Sequence, residues 1–248
     1  MRPDTMEAEA VHRLLVIARE ADAPVMVVHL TNKKAFEEVM HARANGQKVY
    51  AETCPQYLLL DDSVYTKPDF QGAVYVCAPP IRKKRRSGLS VGSVVTRRYP
   101  DSSYGSVQFY TCTEGLGKDD FTKIPGGLPG VQTRGTLLYT YGVKEGRITQ
   151  EQMCKLLSEN PAKLYGVYPQ KGVLAPGSDA DIVVLDPEKE SVISAATHAY
   201  NTDNNPFEGI RLRCGIDKVF LRGSLTVDDG RLVKEKLGKY IARGKKQM

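Results

Sequence analysis

The feature that most constrains this chain is a short, unbroken apolar run, Val25-Met26-Val27-Val28-His29-Leu30, set between two segments of helical periodicity. Runs of that length without alternation suit strands buried on both faces, as in parallel sheets. Upstream, Val11, Leu14, Leu15 and Ala18 recur at helical spacing in a helix expected over Thr5 to Ala21. Glu7 and Glu9 sit near its N-terminal end, where the helix dipole favours anions, and Ala23-Pro24 breaks it. Downstream, Asn32 can cap a helix that carries Ala35, Phe36, Val39, Met40 and Ala42 on its inner face and stops at Asn45-Gly46. A second short strand follows at Lys48 to Thr53. Helix, strand, helix, strand at this spacing is α/β patterning around a parallel sheet. Either a barrel or an open doubly wound sheet satisfies it.

From Lys83 to about Thr113 this order collapses into a basic, Gly- and Ser-rich stretch with neither helical nor strand period. We read 83–114 as irregular, an insertion or a misread stretch of coding sequence. Helices are expected again at Thr133 to Tyr141 and at Gln150 to Ser158, the second capped by Thr149, with Pro161 suited to the first position of another. From Gly172 the character changes. Short strands at Ala180 to Leu185 and Lys218 to Leu221 precede a hairpin in which Leu225 to Val227 and Leu232-Val233 flank Asp228-Asp229-Gly230. The residues thus describe a small β-rich module appended to an α/β domain.

Composition narrows the function classes. With 248 residues, 41% of them hydrophobic and 26% charged, the chain can bury a core. No apolar run is long enough to span a bilayer, and Met1-Arg2-Pro3-Asp4 leads into a helix rather than a signal peptide, so a cytoplasmic location without membrane attachment is expected. The net charge of +6 is concentrated between Arg82 and Arg98, and the remainder is close to neutral. A single basic block without interleaved aromatics does not make a nucleic-acid surface. The 5 cysteines, Cys54, Cys77, Cys112, Cys154 and Cys214, are widely spaced and form no C-x-x-C pair, which points to small structural hydrophobes rather than a disulfide framework.

Of the 4 histidines, His12 and His41 fall on expected helix surfaces as solvent-facing polar residues, and none, His198 included, belongs to an H-x-H or H-E-x-x-H motif. His29 differs. It lies at the C-terminal end of an apolar strand, where parallel α/β folds place their working residues, and a neutral imidazole there can bind a divalent metal or serve as a hydrogen-bonded structural group. Phosphate-binding loops, nucleophile elbows and dinucleotide fingerprints are all missing from the sequence.

Several segments carry a family resemblance. Pro24 to Thr31 resembles the strand bearing the last histidine ligand of D-hydantoinases and dihydropyrimidinases. Tyr50-Ala51-Glu52-Thr53-Cys54-Pro55-Gln56-Tyr57 is similar to their next strand and loop, and Cys77-Ala78-Pro79-Pro80-Ile81-Arg82 to their S-P-P-L-R segment. Gly117 to Pro125, Ser158 to Lys163, Gly177 to Val183 and Asn205 to Gly209 continue the match in family order. The resemblance implies an α/β fold: a partial (β/α)8 TIM-type barrel over 1–170 and the C-terminal part of a small β-sandwich over 171–248. It also implies two zinc ions sharing a hydroxide and a carbamylated lysine. These would hydrolyse a small cyclic amide or ureide, hydantoin or dihydropyrimidine, to an N-carbamoyl amino acid. Two cations lower the pKa of bound water and stabilise the oxyanion, and a carboxylate carries the proton to the leaving nitrogen.

Residue by residue, the implied inheritance is thin. His29 matches a metal ligand. The H-x-H pair, the lysine and a further histidine are expected upstream of Met1. The catalytic aspartate of a T-D-H-C stretch should fall near Ser102 to Tyr104, where no such stretch exists; Asp101 is the nearest acid and is not assigned the role. No catalytic residue is therefore expected in this chain. Ala78 replaces the S-P-P-L-R serine and Gly126 an asparagine, at positions that bind substrate largely through backbone groups. The expectation is an inactive portion of a cyclic-amide hydrolase, with a non-catalytic scaffold resembling collapsin response mediator proteins as the alternative and a degraded gene product as a third. Exposed barrel edges predict a homo-oligomer or other association. Across 83–114 residue identity vanishes while both flanks match, which is what two compensating frame shifts produce.

Overall fold

A computed structural model describes residues 3–83 and 115–245. The irregular stretch expected at 83–114 therefore lies, Lys83 apart, outside the described residues, as do Cys112, Asp101 and the Ser102 to Tyr104 position. The rest falls into two compact units. One holds the chain up to Lys83 together with 115–134 and 193–209, the other 135–192 and 210–245.

In the first unit α1 (Asp4–Glu20) leads to β1 (Val25–Val27), α2 (Lys33–Ala44) and β2 (Val49–Ala51). The strands pair in parallel, Val25 opposite Val49 and Val27 opposite Ala51. Both helices pack onto this pair, and Val11, Leu15, Val27, Phe36, Val39, Val49 and Ala51 form a continuous buried core. Asn32 caps α2 as expected, its side-chain oxygen accepting from the Ala35 N–H at 3.0 Å. Leu14 is an exception at 40% exposed. At about 100° per residue it lies on the rim of the stripe that Val11, Leu15 and Ala18 define. Strand β1 is shorter than the apolar run that predicts it, because the chain leaves the strand after Val27 and His29 adopts a left-handed φ of 57°, and β2 ends at Ala51, short of the expected Thr53.

Beyond β2, α3 (Pro55–Leu59) and two 3₁₀ turns, Asp62–Thr66 and Gln71–Tyr75, lead to a second small core of Tyr75, Ile81 and Leu128. This segment is tied to the parallel pair by a buried charged network. The Arg82 guanidinium donates to Glu7 of α1 at 2.9 Å and to the Thr31 hydroxyl at 2.9 Å, and the Thr31 N–H donates to Glu7 at 2.8 Å. The Arg82 and Glu7 side chains are only 5% and 11% exposed.

The second unit begins its helical part with α4 (Arg134–Leu138), which runs on through a π turn at Tyr139–Val143. Next come α5 (Gln150–Cys154), a second π turn at Lys155–Glu159, and α6 (Asn160–Leu164). The Thr149 cap is present as a full capping box, with Gln152 reaching back to the Thr149 N–H. The tail forms β3 (Ile182–Asp186), β4 (Ser191–Val192), β5 (Arg211–Leu212), β6 (Gly215–Leu221), β7 (Ser224–Asp228) and β8 (Arg231–Leu232). Strands β3, β6, β7 and β8 make an antiparallel sheet in that order, and β4 pairs with β5 separately. The hairpin expected at Asp229-Gly230 is there: φ values of 47° and 74° give the doubly left-handed turn whose twist matches its strands. Arg222-Gly223 makes an equivalent turn, 47° and 76°, between β6 and β7. Arg-Gly carries no asparagine or aspartate signal, so the sequence pattern leaves that turn unmarked.

Among the described residues no barrel closes; β1 with β2 is the parallel pairing present. Nor is any described helix long and apolar enough to cross a membrane. The energetic weight of the Arg82 network is measurable. Arg82→Ala strands a nearly buried carboxylate and is expected to lower unfolding free energy by about 3–5 kcal/mol. Urea denaturation reads this directly, and a loss below about 1 kcal/mol would mark the pair as no stronger than a surface ion pair.

Candidate metal centre

The site is built where the two parallel strands end. Past β1 and β2 the chains stay joined by backbone bonds, Glu52 N–H to the Val27 carbonyl at 2.9 Å and Leu30 N–H to the Glu52 carbonyl at 2.8 Å. The Thr53 hydroxyl donates to the Leu30 carbonyl at 2.7 Å. These bonds lock the loop bearing His29 against the loop bearing Glu52 and Cys54. A ring nitrogen of His29, a carboxylate oxygen of Glu52 and the Cys54 sulfur all lie within 4.8 Å of one another. His29 is half-buried, whereas Glu52 and Cys54 are buried. The left-handed backbone at His29 is uncommon outside glycine and marks a position held by its surroundings.

The donor types fit a divalent cation. Imidazole, carboxylate and thiolate are the three side-chain classes zinc takes, and one ion needs about four ligands. The same set cannot satisfy two ions. His29 is legible in the sequence as a candidate ligand, whereas Glu52 and Cys54 stand there only within a family-like motif. Their E-x-C spacing just after a strand was the available signal, but the meeting with His29 depends on strand pairing.

Ala78 and Gly126, the positions expected to meet substrate, belong to neighbouring segments. The Gly127 N–H donates to the Val76 carbonyl at 2.9 Å, and both Ala78 and Gly126 are exposed. The Tyr57 hydroxyl, one turn past Cys54, donates to the Pro79 carbonyl at 2.8 Å. The Tyr65 hydroxyl accepts from the Ile81 N–H at 2.9 Å. Burial pushes both phenols above their ordinary range, with the nearby Cys77 adding to the effect, so they remain protonated. Burial likewise raises the Cys77 thiol, against hydrogen bonds from Tyr57, Ile81 and Tyr65 that act the other way.

The remaining histidines are surface or structural. His12 is exposed and bonds Glu38 at 2.9 Å, and His41 is exposed. His198 bonds the Thr202 carbonyl at 2.8 Å and packs edge-on to Tyr200 at 5.0 Å. Of the cysteines, Cys54 and Cys214 are buried and Cys77 is half-buried, but Cys154 is exposed, so the expectation of packed thiols does not hold for it. It falls on the outer face of α5, whose buried position is Met153.

Comparison with known proteins gives a consistent result. The family model described as "Amidohydrolase family" matches residues 3–226. The chain is 40% identical to a D-hydantoinase of Geobacillus stearothermophilus over 250 residues, which is 98% of this chain and 52% of that protein. Among solved structures, a dihydropyrimidinase from Brevibacillus agri superposes with a TM-score of 0.90 at 40% identity, covering 94% of this chain and 50% of the other. A D-hydantoinase (dihydropyrimidinase) from Thermus sp. gives 0.94 at 36%, covering 100% and 54%. The chain thus spans about half the length of the relatives it matches.

Thiol reactivity tests the site's electrostatics. The thiolate is the nucleophile, so a raised thiol pKa slows alkylation and lets it recover as pH climbs. At pH 8, Cys154 is expected to be modified by iodoacetamide well before Cys77, the gap narrowing at higher pH. Peptide mass spectrometry over a time course follows both residues, and equal rates at pH 8 would contradict the half-buried, protonated state of Cys77.

Proposed function

This chain belongs to the amidohydrolase family, and we propose that it forms the C-terminal half of a metal-dependent cyclic-amide hydrolase that opens hydantoin or dihydropyrimidine rings to N-carbamoyl amino acids. The observation that carries this reading is His29, at the C-terminal end of a parallel strand in a chain 40% identical to a D-hydantoinase over 98% of its length. In this reading residues 1–170 are the barrel portion and 171–248 the sandwich portion. Nothing observed favours the scaffold alternative.

Bound zinc, held in part by His29, would supply an acidified water and a Lewis acid for the ring carbonyl. The chain's own residues do the positioning. A cyclic ureide alternates N–H and C=O groups, which backbone carbonyls and N–H groups at Ala78 and Gly126 can match without a side chain. The Gly127-to-Val76 bond holds those two segments side by side, and the Arg82–Glu7–Thr31 network anchors one of them to the strands. Proton transfer is assigned to no described residue.

The donors grouped among the described residues do not suffice for a zinc pair, so the polypeptide alone is expected to show no turnover of hydantoin or dihydrouracil after zinc loading. Chelator-sensitive ring opening in that assay would refute the reading. Association is the second expectation. In β3, at the edge of its sheet, Val183 is 57% and Val184 38% exposed, although successive residues face opposite sides. Both faces of this apolar edge strand lack cover, a pattern that drives self-association. Size-exclusion chromatography with light scattering should show oligomers, and a monodisperse, cooperatively melting monomer would count against it.

A further inference from the structure

The groove between α1 and α2 opens at the N-terminal ends of β1 and β2, where Pro24 and Lys48 line it, whereas His29 lies past the C-terminal end of β1. It encloses about 330 Å³, and three metal-ligating side chains share its walls: His12 of α1 with Glu38 and His41 of α2. We propose that His12, Glu38 and His41 bind one divalent transition cation of the zinc class, which clamps α1 to α2.

Spacing supports it first. Glu38 and His41 stand three residues apart on α2, the E-x-x-H arrangement that puts a carboxylate and an imidazole on one helix face. His12 reaches the same point from α1, its Nδ1 2.9 Å from a Glu38 carboxylate oxygen. That contact is a hydrogen bond, and a shared cation would replace it: ligand bonds of about 2.0–2.1 Å hold tetrahedral donors roughly 3.3 Å apart. Among the described residues the donors already grouped within 4.8 Å are His29, Glu52 and Cys54, so His41 has to swing in. Its ring is exposed, and its Cα–Cβ bond tilts toward the helix N-terminus, the side on which Glu38 lies.

Packing sets the frame for these donors. His12 follows Val11, Glu38 precedes Val39 and His41 precedes Ala42, and all three apolar residues are buried in one core. The backbone positions of the ligands are therefore fixed by hydrophobic contact between the two helices, and only side chains need to adjust.

Charge and ligand type select the ion. His41 lies in the last turn of α2, where the helix dipole favours a cation. Two neutral imidazoles and one carboxylate leave a divalent ion with a single net positive charge, which water screens because the His12 side chain is 62% exposed. The other cations on these walls are set apart. Arg19 comes two turns beyond His12 and pairs with Glu20 at 3.4 Å, and Lys48 immediately precedes β2. Magnesium and calcium take oxygen donors, whereas imidazole suits zinc, nickel and copper.

The test uses the whole purified chain with labelled histidine ring nitrogens. On titration with zinc chloride, the His12 and His41 rings should shift together in proton–nitrogen correlation spectra and saturate at the same zinc concentration. His198, held by Thr202 and Asn205, should not move. Glu38→Gln and His41→Gln should each remove the His12 shift over that range. Zinc should also raise the Tm of the unmodified chain more than that of His41→Gln, since a cation bound only by the folded helices stabilises the fold. No response at His12 and His41, a response of one ring without the other, or a His12 shift that survives in Glu38→Gln would overturn the proposal and leave a surface ion pair. Each ring is read separately and no readout depends on turnover, so the hydrolase reading stands or falls by its own assay.

Discussion

The parallel pairing of β1 with β2 is the constraint on which the rest of the first unit depends. Its register sets Val27 opposite Ala51, and the two backbone bonds just beyond carry that alignment into the loops. A slip of one residue would turn every strand side chain to the other face and move Glu52 and Cys54 away from His29. Register is well specified because Val27, Val49 and Ala51 are buried in the core that the two helices build on this pair. Hydrophobic burial thus aligns a set of polar groups that have no reason of their own to meet.

Polar burial is the second theme. Asn32 and Thr31 are fully buried, Arg82 and Glu7 nearly so, and each has partners. Buried charge is a weak source of net stability, but breaking one member is costly, so such a network specifies one arrangement over near alternatives. Here it joins three separate stretches of chain: the first turn of α1, the loop after β1, and the segment ending at Arg82. That segment carries Ala78, and the tyrosines beside it stay protonated through burial, the Tyr57 hydroxyl donating to the Pro79 carbonyl and the Tyr65 hydroxyl accepting from the Ile81 N–H. Ala78 thus sits in a segment held in place by buried polar bonds.

In the four-stranded sheet Val183 and Leu232 are exposed, and so are Ile17 of α1 and Leu116. A sheet in a barrel or sandwich is covered by elements from elsewhere in the fold. The solved structures that superpose on this chain are about twice as long.

By itself, the sequence determined the local elements: the helix cap at Asn32, the capping box at Thr149, the Asp229-Gly230 hairpin and the α/β order of the first fifty residues. These depend on contacts within a few residues, and their signals are local for that reason. Tertiary structure alone decided which side chains share space. Glu7 meets Arg82 across 75 positions of chain and Cys54 meets His29 across 25, distances over which no periodicity carries information. The Arg222-Gly223 turn and the shortened strands belong with these, since the pairing of neighbouring strands and a left-handed His29 set their limits. Local preference writes the pieces, and only burial of one piece against another brings a histidine, a carboxylate and a thiol to a common point.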